Sequence, residues 1–465
     1  MRTLFDTVLV ANRGEIALRV IRACRALGVR TVAVHTSDDG DSAVVRLADT
    51  SVHIGPPGGR SYLNIPAVIE AAQATGADAI HPGYGFLSED PDFAEICGDH
   101  GITFIGPPSH VMHKLGDKAV SRAVMSQAGV PLLPGSRHAV DNAREAREVA
   151  DAIGMPVIVK ATAGGGGRGM RIVREADELE RVFRETRNDA LSLFKDSRVY
   201  VERFIERARH IEVQVLCDAH GNGVSLGVRD CSVQRRHQKL VEETPSPSLA
   251  PETADAMGRV AVKAALAVGY VGVGTFEFIV DEDGDFRFIE INCRIQVEHP
   301  VTEAVTGIDL VTEQIRVAAG ERLSVEQSDI DRRGVAIECR VNAEDPDRGF
   351  VPTPGVLQRF HPPGGPFVRV DTHCYTGYRV PPTYDSLLAK VIAWAPDREQ
   401  ALARLDGALD EFVVQGPGMR TTIGLLREVI ADPRFRNGTH TTSFLDELVP
   451  RSGTGKPAKR RRRAR

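Results

Sequence analysis

The chain has 465 residues, of which 42% are hydrophobic and 26% are charged, a composition typical of a globular protein with several domains. The formal net charge of −5 argues against a basic nucleic-acid-binding protein. Seven cysteines without C-x-x-C spacing argue against a disulfide framework or a zinc site and fit a reducing compartment. No secretory signal pattern and no apolar stretch of membrane-spanning length occurs, so we expect a cytoplasmic protein without membrane association.

Residues 1–115 predict a doubly wound α/β domain. The segment TVLVANRGEIALRVIRACRALGVRTVAVH is typical of a strand, a tight turn containing glycine, an amphipathic helix and a second strand. The same alternation continues through ADAIHPGYGFLSED and ITFIGPP. Repeated β-α-β units favour a parallel sheet with helices packed against it.

The rest of the chain predicts α+β structure with antiparallel pairing. We expect one section at 116–325, with a lid subdomain at about 132–204, and a second section at 330–446. Residues 447–465 predict a disordered basic tail, because eight basic and no acidic residues lie between positions 451 and 465. A role of this tail with nucleic acid or an acidic partner is an alternative that the acidic remainder of the chain does not favour.

A glycine run lies in the stretch VIVKATAGGGGRGMRIVR and contains the spacing G-x-G-x-x-G. A dinucleotide fingerprint requires a helix after the glycines, whereas MRIVR alternates like a strand, and no Gly-Lys-Ser/Thr is present for a Walker A loop. The pattern therefore predicts a hairpin lid whose backbone N–H groups cover phosphates, with a plain flexible turn as the alternative. The residues predicted to contact the phosphates are Lys160, Gly165, Gly166 and Gly167.

A second hairpin predicts a metal site. In GTFEFIVDEDGDFRFIEINCRIQVEH, a two-residue turn at Asp283 and Gly284 would place Glu277 directly opposite Glu290, with Asn292 on the same face. Carboxylates directly opposite repel each other unless a cation neutralises them, and Mg²⁺ fits such oxygen ligands best. The alternative is an acidic pair exposed to solvent.

Polar residues continue on both sides of this hairpin in the sequence. Continued alternation would place Arg294, Gln296 and Glu298 on the same strand face as Glu290, so we expect that face to line a site. The stretch DCSVQRRHQKLVEE predicts a clamp for phosphates and other anions, with a charged surface run as the alternative. The clamp consists of Gln234, Arg235, Arg236, His237 and Lys239.

Taken together, these motifs resemble the biotin carboxylase family of the ATP-grasp superfamily over residues 4–446. The resemblance implies an N-terminal α/β domain, an ATP-grasp core with a mobile glycine-rich lid, and a C-terminal α+β domain. The stretches that carry it are ANRGEIALRV, HPGYGFLSE, GDK, VIVKATAGGGGRGM, RHIEVQVL, RDCSVQRRHQKLVEE, GTFEF, IEINCRIQVEHPVTE, ECRVNAEDP and PPTYDSLLAK.

The resemblance also implies the ATP and metal site. It implies that Glu202 lies at the adenine hinge, with the backbone of Phe204 and Ile205 nearby. It implies binding of Mg²⁺ or Mn²⁺ by Glu277 and Glu290 with Asn292 alongside. The full set implied to bind ATP is Lys118, Lys160, Gly165, Gly166, Gly167, Glu202, Phe204, Ile205, His210, Gln234, His237, Glu277 and Glu290.

The carboxylation chemistry is implied in the same way. Glu298 would deprotonate bicarbonate, which attacks the γ-phosphate of ATP to give carboxyphosphate, and Arg340 would stabilise the enolate of biotin beside Tyr84. The residues implied to surround bicarbonate are Lys239, Arg294, Gln296, Val297 and Glu298. Those implied to be catalytic are Glu298, Arg340, Lys239 and Arg294.

The resemblance further implies partners. No Ala-Met-Lys-Met biotin-acceptor motif is present, so we expect a separate biotin carboxyl carrier protein and a separate carboxyltransferase to act with a homodimer of this chain. The reaction would be the first half-reaction of an acetyl-CoA or other acyl-CoA carboxylase, as in fatty acid biosynthesis. The alternatives are another ATP-grasp ligase, such as one forming carbamoyl phosphate, and a non-catalytic ATP-binding scaffold. The departures from the usual family pattern are Cys293, Thr244, Ser246 and Thr383.

Overall fold

The computed structural model describes residues 4–136, 138–163 and 169–449. The first section alternates strands and helices as the sequence predicts. Its elements are β1 (Thr7–Val10), α1 (Gly14–Ala26), β2 (Arg30–Thr36), α2 (Ala43–Leu47), β3 (Thr50–Gly55), α3 (Gly59–Tyr62), α4 (Ile65–Thr75), β4 (Ala79–His81), α5 (Pro91–Asp99), β5 (Thr103–Phe104) and α6 (Ser109–Gly116).

The first five strands form one sheet in the order β3-β2-β1-β4-β5, and every pairing is parallel. Side chains of β1 are buried on both faces of this sheet, as expected for a parallel sheet covered on two sides. Val8 and Val10 belong to the apolar core that contains residues of α1, whereas Leu9 belongs to the core that contains residues of α4. The doubly wound arrangement is therefore confirmed.

The central section combines a small three-stranded sheet with part of a large one. Its helix α10 begins at a proline in its first turn, where a missing backbone N–H costs nothing. The elements are α7 (Lys118–Gln127), α8 (Ala143–Ile153), β6 (Val157–Ala161), β7 (Met170–Val173), α9 (Leu179–Phe194), β8 (Val199–Arg203), β9 (Arg209–Cys217), β10 (Gly223–Arg235), β11 (Gln238–Thr244), α10 (Pro251–Ala267), β12 (Gly272–Val280), β13 (Phe286–Asn292), α11 (His299–Thr306) and α12 (Leu310–Ala318).

The last section completes the large sheet and ends in helices. Helix α13 begins after Asp397, whose side chain accepts a hydrogen bond from the backbone N–H of Gln400. The elements are β14 (Val335–Asn342), β15 (Glu344–Asp345), β16 (Val351–Pro352), β17 (Gly355–Val356), β18 (Arg359–His361), β19 (Val368–Thr372), β20 (Arg379–Val380), β21 (Leu387–Ala395), α13 (Arg398–Glu411), β22 (Val413–Gln415), α14 (Ile423–Ala431), α15 (Pro433–Arg436) and α16 (Phe444–Leu448).

One eight-stranded sheet joins the central and last sections in the order β13-β12-β9-β10-β11-β14-β21-β19. The join is the antiparallel pairing of β11 with β14, in which Val241 lies opposite Cys339. Polar residues from both sections therefore lie on one continuous hydrogen-bonded surface. The mixed α/β and α+β fold class predicted from the sequence is confirmed.

The predicted lid hairpin is present in its strands. Strands β7, β6 and β8 form an antiparallel sheet, and Lys160 at the end of β6 lies opposite Met170 at the start of β7. The predicted phosphate contacts Gly165, Gly166 and Gly167 lie outside the described residues, as does the predicted basic tail from residue 450 onward. The start predicted for that tail, residue 447, is wrong, because α16 extends to Leu448.

Two details of the metal-site hairpin differ from the prediction. The tight turn is longer than the two residues predicted, because Phe278 lies opposite Phe288 and Val280 opposite Phe286, and a bulge then restores the pairing of Glu277 with Glu290. The predicted strand also ends at Asn292. The chain from there to Glu298 is not strand, and Glu298 occupies the position directly before α11.

The seven cysteines are all buried and unpaired, as the sequence predicts for structural thiols. Within the described ranges, no helix combines the length and apolar character that crossing a membrane requires.

Candidate functional site

The predicted ATP site lies between the lid sheet and the large sheet. Lys160 donates a hydrogen bond of 2.7 Å to the buried carboxylate of Glu202, whose other oxygen pairs with Arg122 of α7. Lys118, the first residue of α7, lies 3.0 Å from Glu290 of β13. Of the two lysines that the family resemblance assigns to phosphates, Lys160 therefore lies in the lid sheet and Lys118 at a helix N-terminus, which also favours anions.

The predicted adenine hinge is partly committed to the fold. The carboxylate of Glu202 is occupied by Lys160 and Arg122, so it holds the hinge in place rather than facing a ligand. The N–H of Phe204 donates to the Pro156 carbonyl at 3.0 Å. Since its N–H is already used, the carbonyl is the backbone group of Phe204 that could contact a nucleobase.

A chain of close contacts connects the predicted nucleotide-lining residues to the metal hairpin. The side-chain amide of Gln234 lies 2.9 Å from Nδ1 of His210, and Nε2 of His210 lies 3.0 Å from Glu277. A side-chain amide nitrogen can only donate, so Nδ1 of His210 is the acceptor in the first of these contacts. His237 lies in the turn between β10 and β11. Burial, Lys160 and His210 all lower the pKa of its ring, so the ring is neutral at neutral pH.

The carboxylates of the predicted metal site lie together on adjacent strands. Glu277 is opposite Glu290 on one side and opposite Glu212 on the other. Asn292 donates to Glu277 at 2.8 Å. Burial alone would raise the pKa of Glu277, but Lys239 and His210 lower it, so the carboxylate is ionised.

The residues present fit a hard divalent cation. Ionised carboxylate and amide oxygens are the ligands that Mg²⁺ and Mn²⁺ take in proteins. Candidate ligand atoms of His210, Glu212 and Glu277 also lie within 4.8 Å of one another. Glu212 was not predicted as part of this set.

Glu298, the predicted base, is completely buried between two cations. Lys239 lies 2.6 Å from one carboxylate oxygen, and Arg340 lies 2.8 Å from the other. Burial alone would raise the pKa of Glu298, but Lys239, Arg340 and Arg229 lower it well below its ordinary value. The position at the N-terminus of α11 acts in the same direction. The group is ionised, as a base must be, and its two oxygens are oriented by cations that also suit an anionic substrate.

Lys239 is the cation that joins the predicted metal and base positions. Besides Glu298, its ammonium group contacts Glu212 at 2.5 Å and Glu277 at 3.0 Å. Burial opposes the charge of Lys239, but the three carboxylates raise its pKa well above its ordinary value. Three carboxylates around one ammonium group make a strongly polarised, water-poor site.

Arg294 brings the first section to the site. It donates to Glu89 at 2.7 Å, to Gln296 at 3.0 Å and to Asn292 at 3.2 Å. The guanidinium group is thereby held beside the metal hairpin by a residue from outside the large sheet.

Tyr84 and Val297 are linked through Glu15 and Lys390. Tyr84 donates a short hydrogen bond to Glu15 of α1, and Lys390 of β21 contacts Glu15 at 2.9 Å. The same ammonium group donates to the carbonyl of Val297 at 2.9 Å. The predicted biotin residue Tyr84 is thus connected to the peptide that precedes the base.

The sequence prediction missed several charged partners, all of them buried except Glu89. Glu212 could have been found, because His210, Glu212 and Gln214 alternate with apolar residues along β9 and so mark its polar face. The others carry no such local signal, because only tertiary contacts bring them to the site. These missed residues are Glu89, Arg122, Arg229, Glu242 and Lys390.

The departures from the family pattern are accommodated locally. The hydroxyls of Thr244 and Ser246 donate to the Val228 carbonyl at 2.7 Å and to Asp230 at 2.9 Å. Thr383 donates to Asp38 at 3.0 Å, and the backbone N–H of Cys293 donates to Glu89 at 2.8 Å. None of the four residues displaces a group from the predicted site.

Comparison with known families assigns all three sections. Residues 4–112 match the family described as "Biotin carboxylase, N-terminal domain", and residues 338–447 match "Biotin carboxylase C-terminal domain". Residues 117–326 match "Carbamoyl-phosphate synthase L chain, ATP binding domain". The central match is to an ATP-binding domain, whereas both flanking matches name biotin carboxylase.

Individual relatives agree over nearly the whole chain. A protein of Nostoc sp. named "Biotin carboxylase" is 53% identical, over 96% of this chain and 99% of its own length. A pyruvate carboxylase subunit of Methanothermobacter thermautotrophicus is 50% identical, over 96% of this chain and 90% of its own.

A crystal structure shows the same architecture. The biotin carboxylase domain dimer of Hydrogenobacter thermophilus 2-oxoglutarate carboxylase, in complex with MgADP, ADP and bicarbonate, superposes with a TM-score of 0.93 at 50% identity. The match covers 95% of this chain and 97% of that one. The protein described here therefore belongs to the biotin carboxylase family, whose members are ATP-dependent ligases.

Proposed function

We propose that this protein carboxylates biotin on a separate carrier protein, using bicarbonate and ATP, and so performs the first half-reaction of an acetyl-CoA or other acyl-CoA carboxylase. The observation that carries the proposal is the convergence of Glu298, Lys239 and Arg340 beside the carboxylates of Glu277 and Glu290. The relative structure with MgADP and bicarbonate supports the same pair of substrates for this chain.

Residues of the lid and the large sheet would orient ATP. Lys118 and Lys160 supply positive charge for its phosphates, and their present partners Glu290 and Glu202 would be exchanged for phosphate oxygens. Glu277 and Glu290, with Asn292, would hold Mg²⁺ or Mn²⁺, which when bound neutralises charge on the transferring phosphoryl group. A closed lid over these groups would exclude water from a labile acyl phosphate.

Glu298 would take the proton of bicarbonate. Lys239, Arg294, Gln296 and the Val297 backbone surround the position of the anion, and the freed oxygen then attacks the γ-phosphate to give carboxyphosphate and ADP. Carboxyphosphate breaks down to CO₂ and phosphate, and that phosphate accepts the ureido proton of biotin.

Arg340 would stabilise the oxyanion that develops on biotin. Its guanidinium group is already positioned by Glu242 and Glu298, so little reorganisation is needed when charge appears. Tyr84 lies on the side of the site formed by α1 and would contact the biotin ring. Carbon dioxide then bonds to the biotin nitrogen that lost its proton.

The direct test is ADP release by the purified protein with free biotin. We expect release that requires bicarbonate and Mg²⁺ and that rises when biotin is added. ADP release that is identical with and without biotin would contradict the assignment and favour another ATP-grasp ligase. Omission of bicarbonate provides the internal control.

The acceptor that finally receives the carboxyl group contacts the transferase rather than this chain. Relatives of this chain are named for pyruvate and 2-oxoglutarate carboxylases as well as for biotin carboxylase alone. Carrier and transferase captured with the full chain should therefore be assayed with acetyl-CoA, pyruvate and 2-oxoglutarate. Carboxylation of a 2-oxo acid and of no acyl-CoA would contradict the acyl-CoA part of the proposal.

We also propose a homodimer. Phe367 is 62% exposed, which is the largest exposure among the large hydrophobic side chains of the described ranges that lie on the surface. It packs against Trp394 at a ring distance of 4.9 Å, beside a cavity of about 600 Å³ that both residues line. An exposed aromatic pair beside a concavity fits a protein interface, and a relative of this chain is described as a dimer.

A further inference from the structure

Two buried glutamates, Glu242 on β11 and Glu338 on β14, lie directly opposite each other beside Arg340. Both are completely buried. Arg340 follows Glu338 by two positions in the same strand, so the two side chains share one face of the sheet. Glu242 contacts Arg340, the residue assigned to biotin, and Glu338 lies beside that contact.

The hydrogen bonds of this pair are incomplete. One oxygen of Glu242 accepts from Arg340 at 2.6 Å. Among the described residues, none donates to its other oxygen or to either oxygen of Glu338. The nearby ammonium group of Lys390 is directed to Glu15 and to the Val297 carbonyl instead.

Two ionised carboxylates in this position would be costly. Like charges directly opposite on paired strands destabilise a sheet, and a buried carboxylate without a donor loses its hydration without compensation. One proton on the pair removes the repulsion and also supplies the missing donor. A single change therefore resolves both problems.

We propose that Glu338 is a positioning residue that holds this proton and donates it to the free oxygen of Glu242, so that Glu242 presents its ionised oxygen to Arg340. The inference rests on the proposed function for the role of Arg340 in biotin carboxylation. The location of the proton does not depend on that role.

The surrounding charges agree with this assignment. The groups facing Glu338 are Lys390, Glu242, Arg340 and Glu298, and those facing Glu242 are Arg340, Glu298 and Lys239. Burial and the neighbouring carboxylates raise the pKa of both glutamates, against the lowering effect of the cations. An ionised Glu338 would compete with Glu242 and Glu298 for the guanidinium group of Arg340.

The proton can be observed without any activity assay. We expect the infrared difference spectrum between the full-length protein and Glu338→Gln at neutral pH to show the C=O band of one protonated carboxylic acid in the parent only. Glu411→Gln, at an exposed position, should leave that band unchanged. Absence of the band from the difference spectrum of folded protein would overturn the proposal, whether or not the protein carboxylates biotin.

Kinetics test the positioning role separately. Glu338→Leu removes the donor, so we expect kcat/KM for biotin to fall about tenfold, while Glu338→Gln, which keeps an N–H donor, restores it to within about twofold. A Glu338→Gln variant that is as impaired as Glu338→Leu would show that the carboxyl group acts in its ionised form and would overturn the proposal. If Glu338→Gln fails to fold, the infrared spectrum of the parent protein is compared at neutral and alkaline pH instead. We expect the carboxylic acid band to disappear at alkaline pH, and an unchanged spectrum would overturn the proposal.

Discussion

At the scale of single residues, the base position is notable for how completely it is neutralised. Glu298 has a cation on each oxygen, at 2.6 Å and 2.8 Å. A carboxylate so placed is a weak base until a substrate shares its cations. Bicarbonate, itself an anion, would draw Lys239 or Arg340 towards itself. The pKa of Glu298 would then rise, and Glu298 could take the proton of bicarbonate. The chemistry therefore depends on the substrate completing the site.

The first prediction removes this base. Glu298→Gln keeps the shape of the side chain but cannot accept a proton, so we expect biotin carboxylation to fall by about 10²–10⁴-fold while ATP binding is retained. Steady-state ADP release and nucleotide binding by calorimetry check the two parts. Glu411→Gln is the matched control, because it makes the same change at an exposed position. Normal carboxylation by Glu298→Gln would assign the base to another group.

The second prediction concerns Arg122, which sequence analysis missed. Its loss in Arg122→Met would leave Glu202 with Lys160 as its remaining cation and would bind that lysine more strongly to the protein. We therefore expect KM for ATP to rise about tenfold or more with a smaller change in kcat, since a charge-assisted hydrogen bond contributes about 1.5–3 kcal/mol. Arg181→Met, on the exposed surface of α9, is the control. A change in kcat alone would contradict this placement.

At the scale of elements, the hairpin of β10 and β11 ends in an unusual turn. Arg236 and His237 both have left-handed backbone conformations, with φ of 49° and 66°. A two-residue turn of this kind is normally made by Asn and Gly, which adopt positive φ more easily. Arg and His at these two positions therefore strain the backbone. His237 lies close enough to Lys160 and His210 for both to lower its pKa. The strained turn therefore places a histidine next to residues predicted to bind the nucleotide.

The third prediction separates the two turn residues. Arg236→Asn should raise the free energy of unfolding by about 0.5–1 kcal/mol, because Asn tolerates the left-handed region better than Arg. Gln238→Asn is the control, since that position is in extended strand and gains nothing. Denaturant unfolding of both variants provides the measurement. Equal stabilisation of the two would contradict the strain argument.

The two hairpins also show what sequence can and cannot predict at this scale. Alternation correctly paired Glu277 with Glu290, although the turn assumed was too short and a bulge compensated for the error. Alternation failed after Asn292, because the approach to α11 replaces strand geometry there. Alternation placed Glu298 in the site although the strand it assumed is absent, and family resemblance supplied its role as base. Glu242 and Glu338 were found only when strands distant in sequence were paired.

At the scale of the whole molecule, two histidines are buried uncharged where different parts of the fold meet. Burial lowers the pKa of His81 to about 3 and that of His373 to about 3. Nδ1 of His81 accepts a hydrogen bond from the backbone N–H of Gly83, so protonation would break that contact. The His373 ring lies against Gly14 at the start of α1.

The fourth prediction is a loss of stability in acid. Since these folded pKa values lie below the ordinary value of 6.5, the unfolded chain takes up protons first as pH falls. The contribution of these histidines to the free energy of unfolding is complete above pH 6.5. It should fall by about 1.4 kcal/mol per histidine for each pH unit below that value. His81→Gln should show a shallower decline between pH 6.5 and 4 in denaturant unfolding, and exposed His100→Gln should not. An unchanged slope in His81→Gln would contradict the assignment.

The final prediction separates assembly from catalysis. Every residue assigned to ATP, metal, bicarbonate or biotin belongs to one chain, and the large sheet carries several of them, including Lys239, Glu277 and Arg340. Phe367→Glu places a charge on the proposed interface without changing any of these residues. We therefore expect sedimentation to show a shift from dimer to monomer, with ADP-forming activity per chain reduced by less than about twofold, since an exposed substitution changes stability little. Val351→Glu, at another exposed apolar side chain, should remain dimeric. A Phe367→Glu variant that stays dimeric would place the interface elsewhere, and a monomer without activity would mean that the partner chain is needed to keep the site in order.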